Sequence, residues 1–274
     1  MTNPKLEHRP ISLLGDFCSV KAHGPWMDNP EHTLPPRVEW IVNKCRELGF
    51  ETTIDKWFIG AKPLYNVLVH GKGPLMLMAH HDINNPKSEN ANDNSASIIN
   101  ALLLKTLSPK VPICFTDGEE FGGFGAKRFA KRMLAKDMEF APQARTVLNL
   151  ELTGRGGKYF FVGKNINERS MLSEFIGDLF DNPIYSVPFN DSVILETMGI
   201  DSCVINPLPP LTEAERAWET GYNDSNPIEY LGEHLNKKVL YLCHSKEDTV
   251  KKCSDEDMTE FITEVLYPIC RKFL

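Results

Sequence analysis

Four short apolar runs in this chain stop at a histidine or a glutamate. Leu75–His80 ends in His80, and Val111–Phe115 runs on into Thr116-Asp117-Gly118-Glu119-Glu120. Thr146–Leu152 carries Glu151 near its end, and Val239–Cys243 is followed at once by His244. Such runs, alternating with helical stretches, predict the strands of an α/β fold with a mostly parallel sheet. In sheets of that kind ligands bind in the crevice outside the carboxyl ends of the strands. Asp93, at the start of the helix after the first run, belongs to the same side. Residues remote in sequence are therefore expected to converge: His80, Asp93, Glu119, Glu120, Glu151 and His244.

Further strands are expected at Glu51–Phe58, Tyr65–His70, Tyr159–Val162 and Ser202–Ile205. Helices are expected at Pro36–Leu48, Asn94–Leu107, Gly123–Leu134, Asn167–Phe180 and Asp255–Phe273. Asp93 or Asn94 is placed to cap the second of these helices. Ser254 is placed to cap the last, with Asp255, Glu256 and Asp257 favourable in its first turn. The 274 residues show no repeat and no low-complexity linker, so a single domain over 1–274 is expected. The gaps between the ligand-type residues hold no room for a second domain. Residues 206–238 are the least regular part, rich in Pro, Asn and Glu, and read either as a lid over the site or as a surface loop. Trp218 and Tyr222 within it, and Phe121 beside the glutamate pair, are candidates to line a substrate pocket.

A net charge of −7 gives no reason to expect nucleic acid or an anionic membrane as partner. No stretch approaches the roughly 20 apolar residues that span a bilayer, and the first residues lack the apolar core of a secretory signal. The seven cysteines are scattered, with no Cys-X-X-Cys pair, as expected of reduced thiols in a cytoplasmic protein.

The converging residue types suit zinc, which binds imidazole nitrogen and carboxylate oxygen. Five ligands and a spare carboxylate exceed what one zinc usually needs. They suit two metals with one carboxylate bridging, and paired metals about 3.5–4 Å apart clamp and deprotonate a shared water. Adjacent Glu119 and Glu120 can divide the work, one binding metal and the other acting as general base and proton shuttle. His81 should point to the opposite strand face from His80 and is not expected to be a ligand. The glycines around Glu119 and Glu120 do not form a phosphate-binding loop, because no Lys-Ser/Thr follows in register.

The five motifs, in this order, resemble the family-28 zinc metallopeptidases, the group containing bacterial leucyl-type aminopeptidases and glutaminyl cyclases. The resemblance extends from about Leu64 to Thr249. It implies a single-domain, three-layer α/β/α fold with a mixed, mostly parallel central sheet, and two zinc ions per chain, with cobalt or manganese as substitutes. His80 resembles the imidazole of the first metal and Asp82 the residue that orients it. Asp93 resembles the bridging carboxylate, Glu119 the general base, Glu120 a terminal ligand, Glu151 the carboxylate of the second metal and His244 the final imidazole. His244-Ser245-Lys246-Glu247-Asp248-Thr249 resembles the family's His-Thr-X-X-Asp-Thr signature, and a cis peptide between Asp93 and Asn94 is implied as well. Two positions depart from the pattern. Glu151 stands where aminopeptidases more often carry Asp. Asn190-Asp191-Ser192 stands where Ser-Asp-His is frequent, which leaves Tyr185 and Tyr222 as the candidates for an oxyanion stabiliser.

The implied activity is hydrolysis of peptides or amino-acid derivatives, first as an aminopeptidase. A carboxypeptidase, an N-acyl amino acid deacylase and a single-zinc glutaminyl cyclase are the alternatives, since Glu at position 151 is common in the first two. A non-catalytic binding module is the bland alternative, and the intact set of ligand types weighs against it.

Overall fold

Alternation along the strands sets the architecture. In the computed structural model of this chain, the described residues are 4–20, 34–156, 159–163, 171–179, 183–184, 190–208 and 242–273. Strand β3 (Leu75–His80) is buried along its whole length. Its Leu75, Leu77 and Ala79 belong to one hydrophobic core and its Met76 and Met78 to another. Successive side chains point to opposite faces, so a strand apolar at every position must be covered on both sides. Helices α1 (Pro10–Cys18), α2 (Pro36–Glu47) and α3 (Ala96–Leu107) pack on the first face with the carboxyl-terminal helix. Helices α4 (Phe124–Leu134) and α6 (Asp191–Thr197) pack on the second. The result is the three-layer α/β/α arrangement the sequence implies.

The sheet also contains β1 (Thr52–Ile59), β2 (Lys62–Val69), β4 (Ile113–Thr116), β5 (Thr146–Leu150), β6 (Tyr159–Gly163), β7 (Pro183–Ile184) and β8 (Asp201–Leu208). Helix α5 (Met171–Leu179) lies between β6 and β7 in sequence. The strand order is β1-β2-β4-β3-β5-β8-β6-β7. The central four, β4-β3-β5-β8, are mutually parallel; β1 pairs with β2 and β2 with β4 antiparallel, while β6 runs antiparallel to β8 and parallel to β7. His80 pairs with Thr116 and Met78 with Asn149, so β3, β4 and β5 end together at one edge.

Three expectations need correction. Leu242 and Cys243 are not strand but turn, the amide of Ser245 donating to the carbonyl of Leu242 at 3.0 Å. Residues 239–241 lie outside the described residues. The physical reason is local: the Ser245–Leu242 bond closes a tight turn, which takes Leu242 and Cys243 out of the extended backbone a strand needs. Neither Asp93 nor Asn94 caps α3. Both have non-helical dihedrals within the irregular turn Ala91–Ser95, and the residue preceding α3 is Ser95, without a side-chain cap. Asn206–Leu208, expected to begin the irregular stretch, complete β8. The rest of 206–238, with Trp218 and Tyr222, lies outside the described residues, as does Tyr185.

The expected cap of the last helix forms, Ser254 accepting from the amide of Asp257. That helix is interrupted, however. Helix α7 (Asp255–Glu260) passes through a π-helical turn, Phe261–Leu266, into α8 (Tyr267–Phe273). Pro268, in the first turn of α8, has no N–H and its ring collides with the carbonyl four residues earlier, a recognised cause of such a break. Helices α1 and α6 are short and are not among the expected helices, although α1 buries Pro10, Leu13, Leu14 and Phe17 at helical spacing. All seven cysteines are free thiols. Among the described residues no helix is long and apolar enough to cross a membrane.

Candidate metal centre

His80 is the last residue of β3 and is buried. Its Nε2 lies 3.3 Å from Oδ1 of Asp93 and 3.6 Å from Oε2 of Glu151. The Nε2 of His244 lies 2.7 Å from Oε2 of Glu120 and 3.7 Å from Oδ2 of Asp93. Asp93 thus stands between two imidazoles, one oxygen toward each. His80, Asp93 and Glu120 offer ligand atoms that all lie within 4.8 Å of one another. With metal–ligand bonds of about 2.0–2.2 Å, two ligands of one tetrahedral zinc sit roughly 3.3–3.5 Å apart. The separations around His80 are close to that value. The shorter His244–Glu120 contact is at hydrogen-bond distance.

The electrostatics favour a cation at this position. Burial raises the proton affinity of Glu119, Glu120 and Glu151, and the neighbouring carboxylates oppose ionisation further. Burial alone would keep His80 neutral, but Glu151, Asp82 and Asp93 outweigh it and hold its pKa well above the ordinary value. The bond to Glu120 raises that of His244. Nδ1 of His80 and Oε1 of Glu120 are buried without a hydrogen-bond partner. A nitrogen- and oxygen-lined cluster of this charge, with orphaned polar atoms, fits divalent metal.

The backbone around the cluster is tied by carboxylates and amides. Asp82 accepts from the amides of Glu119 at 3.2 Å and Glu120 at 3.1 Å, and its Oδ1 lies 3.4 Å from Nδ1 of His80, longer than an ordinary hydrogen bond. Asp82 therefore holds the glutamate pair more firmly than it holds the ring. Asp248 accepts from the amides of Asn92 at 2.7 Å and Asp93 at 3.0 Å and shapes the turn that presents Asp93. The Asp93–Asn94 peptide is cis. Asn94 donates to Oε2 of Glu151 at 2.8 Å and Asn149 to Oε1 at 3.0 Å, so amides fix both oxygens of Glu151. Asp191 is fully buried, accepts from the hydroxyl of Thr116 at 2.5 Å and leaves Oδ1 without a partner. Burial raises its pKa to about 7. His81 faces away and bonds the carbonyl of Tyr65 at 2.7 Å. Phe121 is half-buried.

The sequence reading did not single out Asn94, Asn149, Asp191 or Asp248 as supports. All four lie within the motif segments around Asp93, Glu151, Ser192 and His244, but no local pattern says which buried oxygen an amide will meet. Non-glycine residues with positive φ flank the centre, Asn90 at 50°, Leu152 at 55° and His244 at 59°. Such backbone is uncommon, and for a bulky residue like Leu152 it is an outlier held by its surroundings.

A family model, Peptidase family M28, matches residues 67–267. The chain belongs to this family. Its fold is similar to the LapA aminopeptidase of Legionella pneumophila (14% identity, TM-score 0.67, covering 96% of this chain and 70% of that one). It is equally similar to the glutaminyl cyclase of Porphyromonas gingivalis (14%, 0.67, 97% and 98%). The zinc aminopeptidase BSAP of Bacillus subtilis matches 78% of this chain and 51% of its own (16%, 0.58). No curated protein sequence matches the chain. This M28 chain thus has the fold of both aminopeptidases and glutaminyl cyclases.

Proposed function

We propose that this M28 protein is a two-zinc exopeptidase that removes the amino-terminal residue from peptides. The observation that carries this reading is the placement of Asp93, one oxygen toward His80 and the other toward His244. His80 and Glu151 would hold one ion, His244 and Glu120 the other, and Asp93 would bridge them. Bound zinc supplies Lewis acidity toward the scissile carbonyl and lowers the pKa of water. Glu119 is the general base: it takes the proton of the attacking water and returns it to the leaving amine. Burial raises the proton affinity of Glu119, which strengthens it as the acceptor of that proton. Asp82 fixes Glu119 through its backbone amide, and Asn94 and Asn149 hold Glu151 against rotation. The free thiols support a reducing compartment such as the cytoplasm.

The deciding experiment combines metal analysis with a substrate panel. Two ions per chain and release of p-nitroaniline from unblocked amino-acid p-nitroanilides support the reading. Turnover confined to N-blocked peptides or N-acyl amino acids would move it to a carboxypeptidase or deacylase. A single-zinc glutaminyl cyclase is the second reading, favoured by the match over nearly the whole length of the Porphyromonas gingivalis cyclase. One ion per chain, with ammonia rather than an amino acid released from a glutaminyl peptide, would establish it.

A further inference from the structure

His244 poses a positional problem that its own segment does not solve. It sits in a turn with φ of 59°, not at a strand end, and its side chain is 53% exposed. Within the segment 242–249 the turn is closed by short-range bonds, from the amide of Ser245 to Leu242 and from that of Asp248 to Ser245. These define its shape but not its place relative to His80 and Asp93.

The bonds that place it come from the loop between those two residues. The side-chain amide of Asn85 donates to the carbonyl of His244 at 3.0 Å. The hydroxyl of Ser88 donates to the carbonyl of Asp248 at 3.0 Å, and Glu89 accepts from the amide of Val250 at 2.6 Å. Asp248 returns two bonds, to the amides of Asn92 and Asp93. Residues 85–93 and 244–250 are thus laced together along their whole lengths. The Asn85 bond is the one that reaches His244 itself.

The loop is built to hold a fixed shape. Asn90, buried and in the left-handed region, donates its side-chain amide to the carbonyls of Asn85 at 3.0 Å and Ser88 at 2.9 Å. Its own carbonyl accepts from the hydroxyl of Ser95 at 2.5 Å. Ser95 in turn accepts from the guanidinium of Arg37, which is buried in α2 against the ring of Phe17. The oxygen of Asn85 caps the amide of Lys87. The loop is therefore anchored in the first core at one side and presents Asn85, Ser88 and Glu89 at the other. Because its ends are His80 and Asp93, a single loop sets the spacing of those two residues and locates the third.

We infer that Asn85 is the positioning residue for His244, and that the loop 85–90 acts as the template that brings this imidazole to the metal centre. The inference rests on the proposed role of His244 as a ligand. Asn85 is half-exposed and outside both cores, so its variants should fold.

The test is a zinc titration under competition with a chelator, on wild type, His244→Ala, Asn85→Ala and Asn85→Asp. Asp keeps the acceptor for Lys87 and replaces the donor to His244. Whichever zinc affinity falls in His244→Ala should fall in both Asn85 variants by about 10- to 100-fold, the usual effect of losing a partner that orients a ligand. Any other zinc affinity, and the unfolding midpoint of the zinc-free protein, should stay at wild-type values. In the zinc-free protein, amide hydrogen exchange over 244–248 should be faster in Asn85→Ala. Wild-type zinc affinity in the Asn85 variants, equal loss of all zinc, or no effect of His244→Ala on zinc would each overturn the inference. A wild-type stoichiometry of one would end the two-zinc reading by itself, while the comparison between His244 and Asn85 variants would still decide this point.

Discussion

At the residue scale, adjacent glutamates just beyond β4 are assigned opposite tasks. Glu119→Gln is nearly isosteric and cannot take a proton, so it should keep its metal and lose about 100- to 10,000-fold in turnover. Glu120→Gln should instead release metal, because Glu120 is the carboxylate paired with His244. Metal content and kcat measured on both variants check the assignment, and the reverse pattern would exchange the two roles. His81 gives a prediction about pH. Burial lowers its pKa from the ordinary 6.5 to about 4, against the opposing bond to Tyr65. Between those values the unfolded chain holds a proton that the folded chain does not, so stability falls as pH drops through this window. The full shift corresponds to about 3 kcal/mol at most. In metal-free protein, urea unfolding at pH 7 and pH 4.5 should show a smaller acid loss in His81→Gln than in wild type. Equal losses would mean that other groups carry the acid sensitivity.

At the element scale, the loop from Asp117 to Gly125 is the part of the site that depends most on close backbone approach. Asn66, buried in β2, accepts from the amide of Asp117 at 3.1 Å and donates to the carbonyl of Gly125 at 3.0 Å. One side chain thereby ties both ends of the loop that carries Glu119 and Glu120. A methyl group on Gly125 would lie 2.6 Å from Oδ1 of Asn66 and from the backbone nitrogen and oxygen of Asp117. Overpacking of this kind costs about 1–3 kcal/mol. Gly125→Ala should therefore lower the denaturation midpoint and weaken metal binding together, as seen by urea unfolding and chelator competition. An alanine variant with wild-type stability and metal affinity would show that α4 can shift without moving the glutamates. The helices and strands flanking this loop were legible from periodicity, because β3 and β4 are continuous apolar runs and α4 is amphipathic. The tie through Asn66 was not, since a single asparagine in a strand carries no pattern.

For the whole molecule, the metal centre is a charge problem that the fold brings together. Carboxylates just beyond the ends of β3, β4 and β5 and in the Ala91–Ser95 turn meet at one sheet edge, and without a cation they repel. Metal that binds only the folded chain stabilises it by about 2.7 kcal/mol at a free concentration one hundred times its dissociation constant. Removal with a chelator should therefore lower the melting temperature, and adding back zinc should restore it, as followed by scanning calorimetry. An unchanged melting temperature on full removal would show that the cluster is stable without the ion. What the sequence by itself determined was the class of fold, the family and the residue types at the sheet edge, because apolar runs, helical periodicity and motif order are properties of local stretches. Only the tertiary structure decided that His244 arrives by a turn instead of a strand, that Asp93 and Asn94 leave the helix they precede, and that Asp82 grips the glutamate pair. Those outcomes depend on which buried donor meets which acceptor across long sequence separations, as between Asn85 and His244. That pairing is fixed by the packing of the loops at the sheet edge.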